Sequence, residues 1–291
     1  MLIALAALWG ASFLFMRMAA PAFGPITLIA VRLCIAAAVF LPFLRCPENR
    51  TRLRQYAMPL ALNGLLSASI PFSLLAYSSL SLSAGFTALL NALTPITTAL
   101  IAWLVWHQRL RRSQWFGLGL GLAGVAILCW GRMSFRPGGS GWAIVTAVLA
   151  TLCYGIGGNL AKRRFSQIPA NLTACGTLFG AAAAMIVPGA ACMPATSPSG
   201  TAWVCVVLLG VLCTSVAYML YFRLLLTATA TQVASVTFLV PVFAILWGAL
   251  VLRESLTLQM AIASVVILTG TALTNGLIAS GACGWRPGRS A

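Results

Sequence analysis

Apolar runs of about 20 residues follow one another along nearly the whole chain, parted only by short polar or basic connections. A helix of that length matches the ~30 Å hydrocarbon core of a bilayer. The same runs leave no water-facing surface for a soluble fold. Only 7% of the 291 residues are charged and 61% are hydrophobic, whereas a soluble domain carries roughly a quarter charged residues. Backbone groups in hydrocarbon must be satisfied inside a helix or a closed barrel, and these runs lack the alternation of barrel strands. The sequence predicts an all-α integral membrane protein.

Polar punctuation divides the chain into ten transmembrane helices, near 2–20, 25–44, 57–78, 84–106, 114–131, 141–161, 171–191, 202–224, 229–252 and 258–279. An even number puts both termini on one side. With the termini inside, the inner connections and tail hold Arg45, Arg50, Arg52, Arg54, Arg109, Arg111, Arg112, Lys162, Arg163, Arg164, Arg223, Arg286 and Arg289. The outer connections hold only Arg132, Arg136 and Arg253. The positive-inside rule then predicts a multi-pass protein of the plasma (inner) membrane with both termini cytoplasmic. It also accounts for the net charge of +16, so no nucleic acid is expected as a partner. Met1 leads into an apolar run with no basic segment before it, which argues against a cleaved signal peptide. The nine cysteines (Cys34, Cys46, Cys129, Cys153, Cys175, Cys192, Cys205, Cys213 and Cys283) mostly lie in apolar runs. With no CxxC or Cys/His cluster, they read as small core residues.

One phrase occurs twice. Residues 93–110 read LTPITTALIAWLVWHQRL and residues 239–256 read LVPVFAILWGALVLRESL, with Pro95 and Pro241 standing 146 residues apart. Gly124 and Gly270 share that offset, while Trp9-Gly10 meets Tyr154-Gly155 and Arg17 meets Lys162 at 145. Each unit holds five spans. Since five is odd, the second unit enters the membrane from the opposite face, giving two inverted five-helix repeats. The expected organisation is a first repeat over 1–135, a second over 136–280 and a short cytoplasmic tail over 281–291. A site between inverted halves can open to either face at similar energy, which is what alternating access requires.

These residues resemble the drug/metabolite transporter superfamily, in particular its ten-helix EamA-type permeases. The likeness runs through WGASFLFMRMA at 9–19, AVRLCIAAAVFLP at 30–42, SAGFTALLNALTPITTALIAWLVWHQRL at 83–110 and GLGLGLAGVAIL at 117–128. It continues in TATQVASVTFLVPVFAILWGALVLRESLT at 229–257. The resemblance implies a carrier of amino acids, their derivatives, nucleosides or other small solutes. One departure stands out: the acid of the family's closing phrase is kept at Glu254, but the first half reads His107-Gln108-Arg109-Leu110 without it.

The prolines point to where such a carrier would hold its solute. A mid-span proline frees a carbonyl one turn earlier, near Asn91 and Thr237, and hydrocarbon offers that group no partner. Asn91, Thr94, Ser235 and Thr237 cluster there, either as a midplane polar patch facing a cavity or as hydroxyls satisfying a packing kink. Trp9 and Tyr154, each beside a glycine, offer an aromatic wall or mark close helix packing. Arg32 lies deep in span two, where it costs at least ~2.5 kcal/mol unless it faces the interior or water. It either binds a substrate carboxylate or, the reading favoured here, ties helices together through backbone carbonyls. Arg17 and Lys162 read as interface anchors. The candidate substrate-binding residues are Trp9, Ser12, Arg32, Asn91, Thr94, Pro95, Tyr154, Asn159, Tyr218, Ser235, Thr237 and Pro241. No catalytic residue, metal site or cofactor is expected.

The chain has no Asp, and its only acids are Glu48 and Glu254 in loop-proximal positions. A carboxylate proton relay inside the membrane is thereby disfavoured. The expected function is a secondary transporter moving small metabolites by alternating access; the alternative is a drug or organic-cation exporter of the same fold. An enzyme is not expected, for want of paired carboxylates, a His/Asp pair or a metal cluster. The expected partners are a small-molecule solute and the lipid bilayer, and the sequence leaves open whether two copies form a homodimer.

Overall fold

The computed structural model describes residues 1–131, 133–136, 139–165, 167–227 and 230–277, with the side chains at 222, 225, 226 and 230–234 set aside. Arg132, Cys283, Arg286, Arg289 and the predicted tail at 281–291 lie outside the described residues. Every described element is helical. In chain order the ten runs form Leu2–Phe23, Pro25–Arg45, Ala57–Ser78, Ala84–Trp106, Arg112–Cys129, Gly141–Arg164, Ala170–Ala191, Gly200–Tyr221, Ala230–Leu252 and Leu258–Thr274. A short helix, Pro47–Gln55, lies between spans two and three.

Eight helices among the described residues are long and apolar enough to cross a membrane, where the sequence predicted ten. The other two are spans five and ten. Arg112–Cys129 opens on Arg-Ser-Gln and carries four glycines, which dilute its apolar character. Leu258–Thr274 has 17 residues, about 26 Å at 1.5 Å per residue. These two helices pack against each other backbone to backbone. A Cβ on Gly117 would stand 2.6 Å from the Gly270 carbonyl, and one on Gly270 would stand 2.7 Å from the Gly117 carbonyl. Glycine permits an approach that any other side chain forbids. Gln114 Nε2 donates to the Thr274 carbonyl and Gln259 Nε2 to the Ile127 carbonyl, so each helix closes an end of the other.

The main packing partners follow one rule. Span one packs on nine and eight, and span six on four and three; two packs on seven and eight, and seven on three as well as two; four packs on nine and five on ten. Replacing each span by the one five places along returns the same set. Individual bonds obey it too. Ser69 Oγ donates to the Ala181 carbonyl and Ser215 Oγ to the Ala36 carbonyl. The backbone turns left-handed at His107 (φ 52°) and at Arg253 (φ 54°).

Local chemistry shapes the spans that matter most. Spans three and eight each contain a wide π-helical turn, Leu65–Ser69 and Val211–Val216. In the second, Thr214 and Ser215 hydroxyls donate to carbonyls five residues back, Leu209 and Gly210, absorbing the extra residue. Span four is interrupted: a helix ends at Asn91 and a new one starts at Thr94. Pro95 therefore sits in the first turn of a helix, where its missing N–H costs nothing, and not in mid-helix as the sequence predicted. Pro241 does lie inside the continuous helix Ala230–Leu252.

Candidate functional site

The break in span four and the wide turns in spans three and eight surround a cavity of about 430 Å³. Its wall comes from spans one, two, three, four, six, eight and nine. Gly10 makes this possible on one side: a Cβ there would stand 2.9 Å from the Ala244 nitrogen, so span one lies directly on span nine. Trp9, the next residue, then projects into the space between helices. Its ring lies 5.5 Å from that of Tyr221, tilted by 43°. On the other side the ring of Tyr154 meets Phe72 edge-on at 6.3 Å.

The polar part of the wall is sparse and mostly self-satisfied. Ser12 Oγ donates to the Trp9 carbonyl at 2.6 Å, and Thr98 Oγ1 to the Thr94 carbonyl at 2.6 Å. Thr94 Oγ1 donates to the Asn91 carbonyl at 2.7 Å, which repairs the helix break. Asn91 Oδ1 is the exception. It is buried and accepts no hydrogen bond, which costs roughly 1–3 kcal/mol for a buried polar group.

Arg32 is 3% exposed and lines the cavity. Its Nε donates to Thr214 Oγ1 at 2.9 Å, its Nη1 lies 3.7 Å from Met16 Sδ, and its guanidinium stands 4.0 Å above the Phe72 ring. The sequence reading favoured a tie through backbone carbonyls. The structure instead gives the guanidinium a hydroxyl, a thioether and a ring face. Thr214 is held for this task, because its own proton is spent on the Leu209 carbonyl.

Neither acid reaches the cavity. Glu48 pairs with Arg52 at 2.8 Å on the short surface helix. Glu254 is more than loop-proximal: both its oxygens accept the Ala84 N–H, at 3.1 and 3.0 Å, so a residue after span nine caps the start of span four. Beside it, in a second cavity of about 650 Å³, lies Arg17, whose Nη1 holds the Ser79 and Leu80 carbonyls at 2.6 and 2.7 Å.

Of the sequence candidates, the cavity wall brings together Trp9, Ser12, Arg32, Asn91, Thr94, Pro95, Tyr154, Tyr218, Thr237 and Pro241. Two stand apart. Asn159 donates to the Thr98 and Gly155 carbonyls, tying span six to span four behind the wall. Ser235, on span nine, is not among the residues that line the cavity. Met16, Ser67, Phe72, Cys213 and Tyr221 line the cavity and were not singled out. Tyr221 was within reach, three residues from Tyr218 and so on the same helix face; Phe72 stands 146 residues before Tyr218, the offset of the repeat.

The sequence pattern of the EamA-like transporter family matches residues 1–130 and 141–276. The chain is 23% identical over 275 residues to the uncharacterized transporter YvbV of Bacillus subtilis, covering 92% of this chain and 88% of that protein. It is 23% identical over 164 residues to the uncharacterized inner membrane transporter YedA of Escherichia coli, covering 56% of this chain and 52% of that protein. One solved crystal structure superposes with a TM-score of 0.65 at 22% identity, over 95% of this chain and 97% of that one, and shares the fold.

Proposed function

The chain belongs to the EamA-like transporter family and is a multi-pass membrane protein, and from that premise we propose that it is a secondary carrier moving small metabolites, amino acids or related solutes, across the plasma membrane by alternating access. Both termini face the cytoplasm in this reading, and the two halves form an inverted repeat. The observation that carries it is the midmolecule cavity of about 430 Å³. It is enclosed by spans from both halves whose packing partners exchange under a five-span shift. Such an enclosure can be reached from one face by parting one set of walls and from the other by parting their counterparts. The names of its relatives, a transporter and an inner membrane transporter, support the same reading.

An organic-cation exporter of the same fold fits less well, because the cavity holds a guanidinium and no carboxylate. The test is metabolite profiling of cells and medium with the protein overproduced or deleted, followed by flux of the responding solutes in proteoliposomes. A solute that moves only when the protein is present supports the reading. Profiles and fluxes identical with and without the protein overturn it.

A further inference from the structure

The charge and hydrogen-bond balance of the cavity is uneven in two places. Arg32 carries a full positive charge at 3% exposure, and the whole chain contains just two acids, neither of them on this wall. A buried cation normally draws on a paired anion. Here it has one hydroxyl, one sulfur and one ring face. The second place is Asn91, a residue of the same cavity wall, whose buried Oδ1 is an acceptor with no donor. The first defect calls for one negative charge, and the second for an N–H or O–H.

We propose that the cavity is a binding site for a small organic solute carrying a single carboxylate together with an amino or hydroxyl donor, with Arg32 taking the carboxylate and Asn91 Oδ1 taking the donor. An inorganic anion has no donor to give Asn91. A dianion such as a phosphate ester would bring a second charge with no second cation on the wall. The apolar body of the solute lies against the rings of Trp9 and Tyr154, which supply flat surface without charge. This inference rests on the carrier reading above for its place on a transport path.

The test is calorimetric titration of the purified full chain at neutral pH with four probes that share one branched body: leucine, 2-hydroxy-4-methylpentanoate, 4-methylpentanoate and leucinamide. Leucine and the hydroxy acid are expected to bind more tightly than leucinamide, on the order of tenfold or more, because a site built for a polar partner rejects the analogue lacking it. They are also expected to bind more tightly than 4-methylpentanoate, which has the carboxylate without the donor. Arg32→Gln should erase the preference for a carboxylate and Arg32→Lys should keep part of it. Asn91→Ala should erase the advantage of the hydroxy acid over 4-methylpentanoate while the preference for a carboxylate remains. Equal binding of leucine and leucinamide, binding by none of the four, or a preference that survives Arg32→Gln would overturn the site. If Arg32→Gln does not fold, the comparison of probes on the parent chain and on Arg32→Lys decides. Proteoliposomes separate this inference from the carrier reading. Binding with carboxylate preference but no flux of any probe keeps the site and removes the carrier; flux of leucinamide as fast as leucine keeps the carrier and removes the site.

Discussion

Glu254 carries one of only two negative charges in 291 residues, and both of its oxygens are engaged by one backbone N–H at the start of the helix Ala84–Asn91. A negative group there gains from the positive end of the helix, typically by less than about 1 kcal/mol. Its work is therefore capping, and the cavity wall contains no acid to move a proton. Purified protein in liposomes is expected to carry solute down its gradient with little response to an imposed pH gradient. Glu254→Gln, whose amide oxygen can still accept from Ala84, should leave that response unchanged; proton-driven uphill transport abolished by this substitution would contradict the capping role. At this scale the sequence was legible wherever polarity or repetition supplied contrast. Trp9 and Tyr154 were marked by their shared place in the two repeats, and Arg32 by its depth in an apolar run. Asn159 looked the same as Asn91 because an amide in an apolar run does not reveal whether it meets a carbonyl or an open space. Met16 and Phe72 carried no contrast, being apolar residues among apolar neighbours.

The two prolines show what the element scale adds. Both sit in the repeated phrase, yet Pro95 follows a break closed by Thr94, whereas Pro241 interrupts the bonding of a continuous helix. Thr94 has a valine, Val240, as its counterpart 146 residues on, so the second half lacks the hydroxyl that stabilises the break. Pro95→Ala restores an N–H where no helical acceptor is lost, and its effect on thermal stability should stay within about 1 kcal/mol. Pro241→Ala should restore the helical N–H that the proline lacks in span nine and lower flux in liposomes while melting no lower than the parent. Equal flux from Pro241→Ala and the parent would show that the interrupted bonding at Pro241 is not needed for transport. The break in span four was not legible because a proline in an apolar run predicts a kink and a new helix start equally well. Spans five and ten read as crossing helices for a related reason: hydropathy measures a run's length, whereas their glycines serve each other.

At the scale of the whole molecule, fold class was the most legible feature, because a 20-residue apolar run admits only one backbone solution in lipid. Orientation is a separate matter, carried by arginines in the connections, and it makes a prediction of its own. In a background cleared of accessible native cysteines, probes at Ser140 and Ser197 should react with an impermeant thiol reagent on intact cells, and probes at Thr51 and Ser113 should not. A reactive Thr51 position would reverse the molecule in the membrane. The pair formed by spans five and ten contributes no side chain to the cavity wall, yet joins the first half to the second through Gly117 and Gly270. Whatever the walls do, this seam can stay shut; under the proposed alternating access it is the expected fulcrum, with spans one, four, six and nine as the moving arms of a lever. A short bifunctional crosslink between Gln114→Cys and Thr274→Cys, positions already joined by a hydrogen bond, should therefore leave the flux of a transported solute nearly unchanged. A crosslink that stalls flux would mean that the seam itself travels, and that the lever pivots somewhere else.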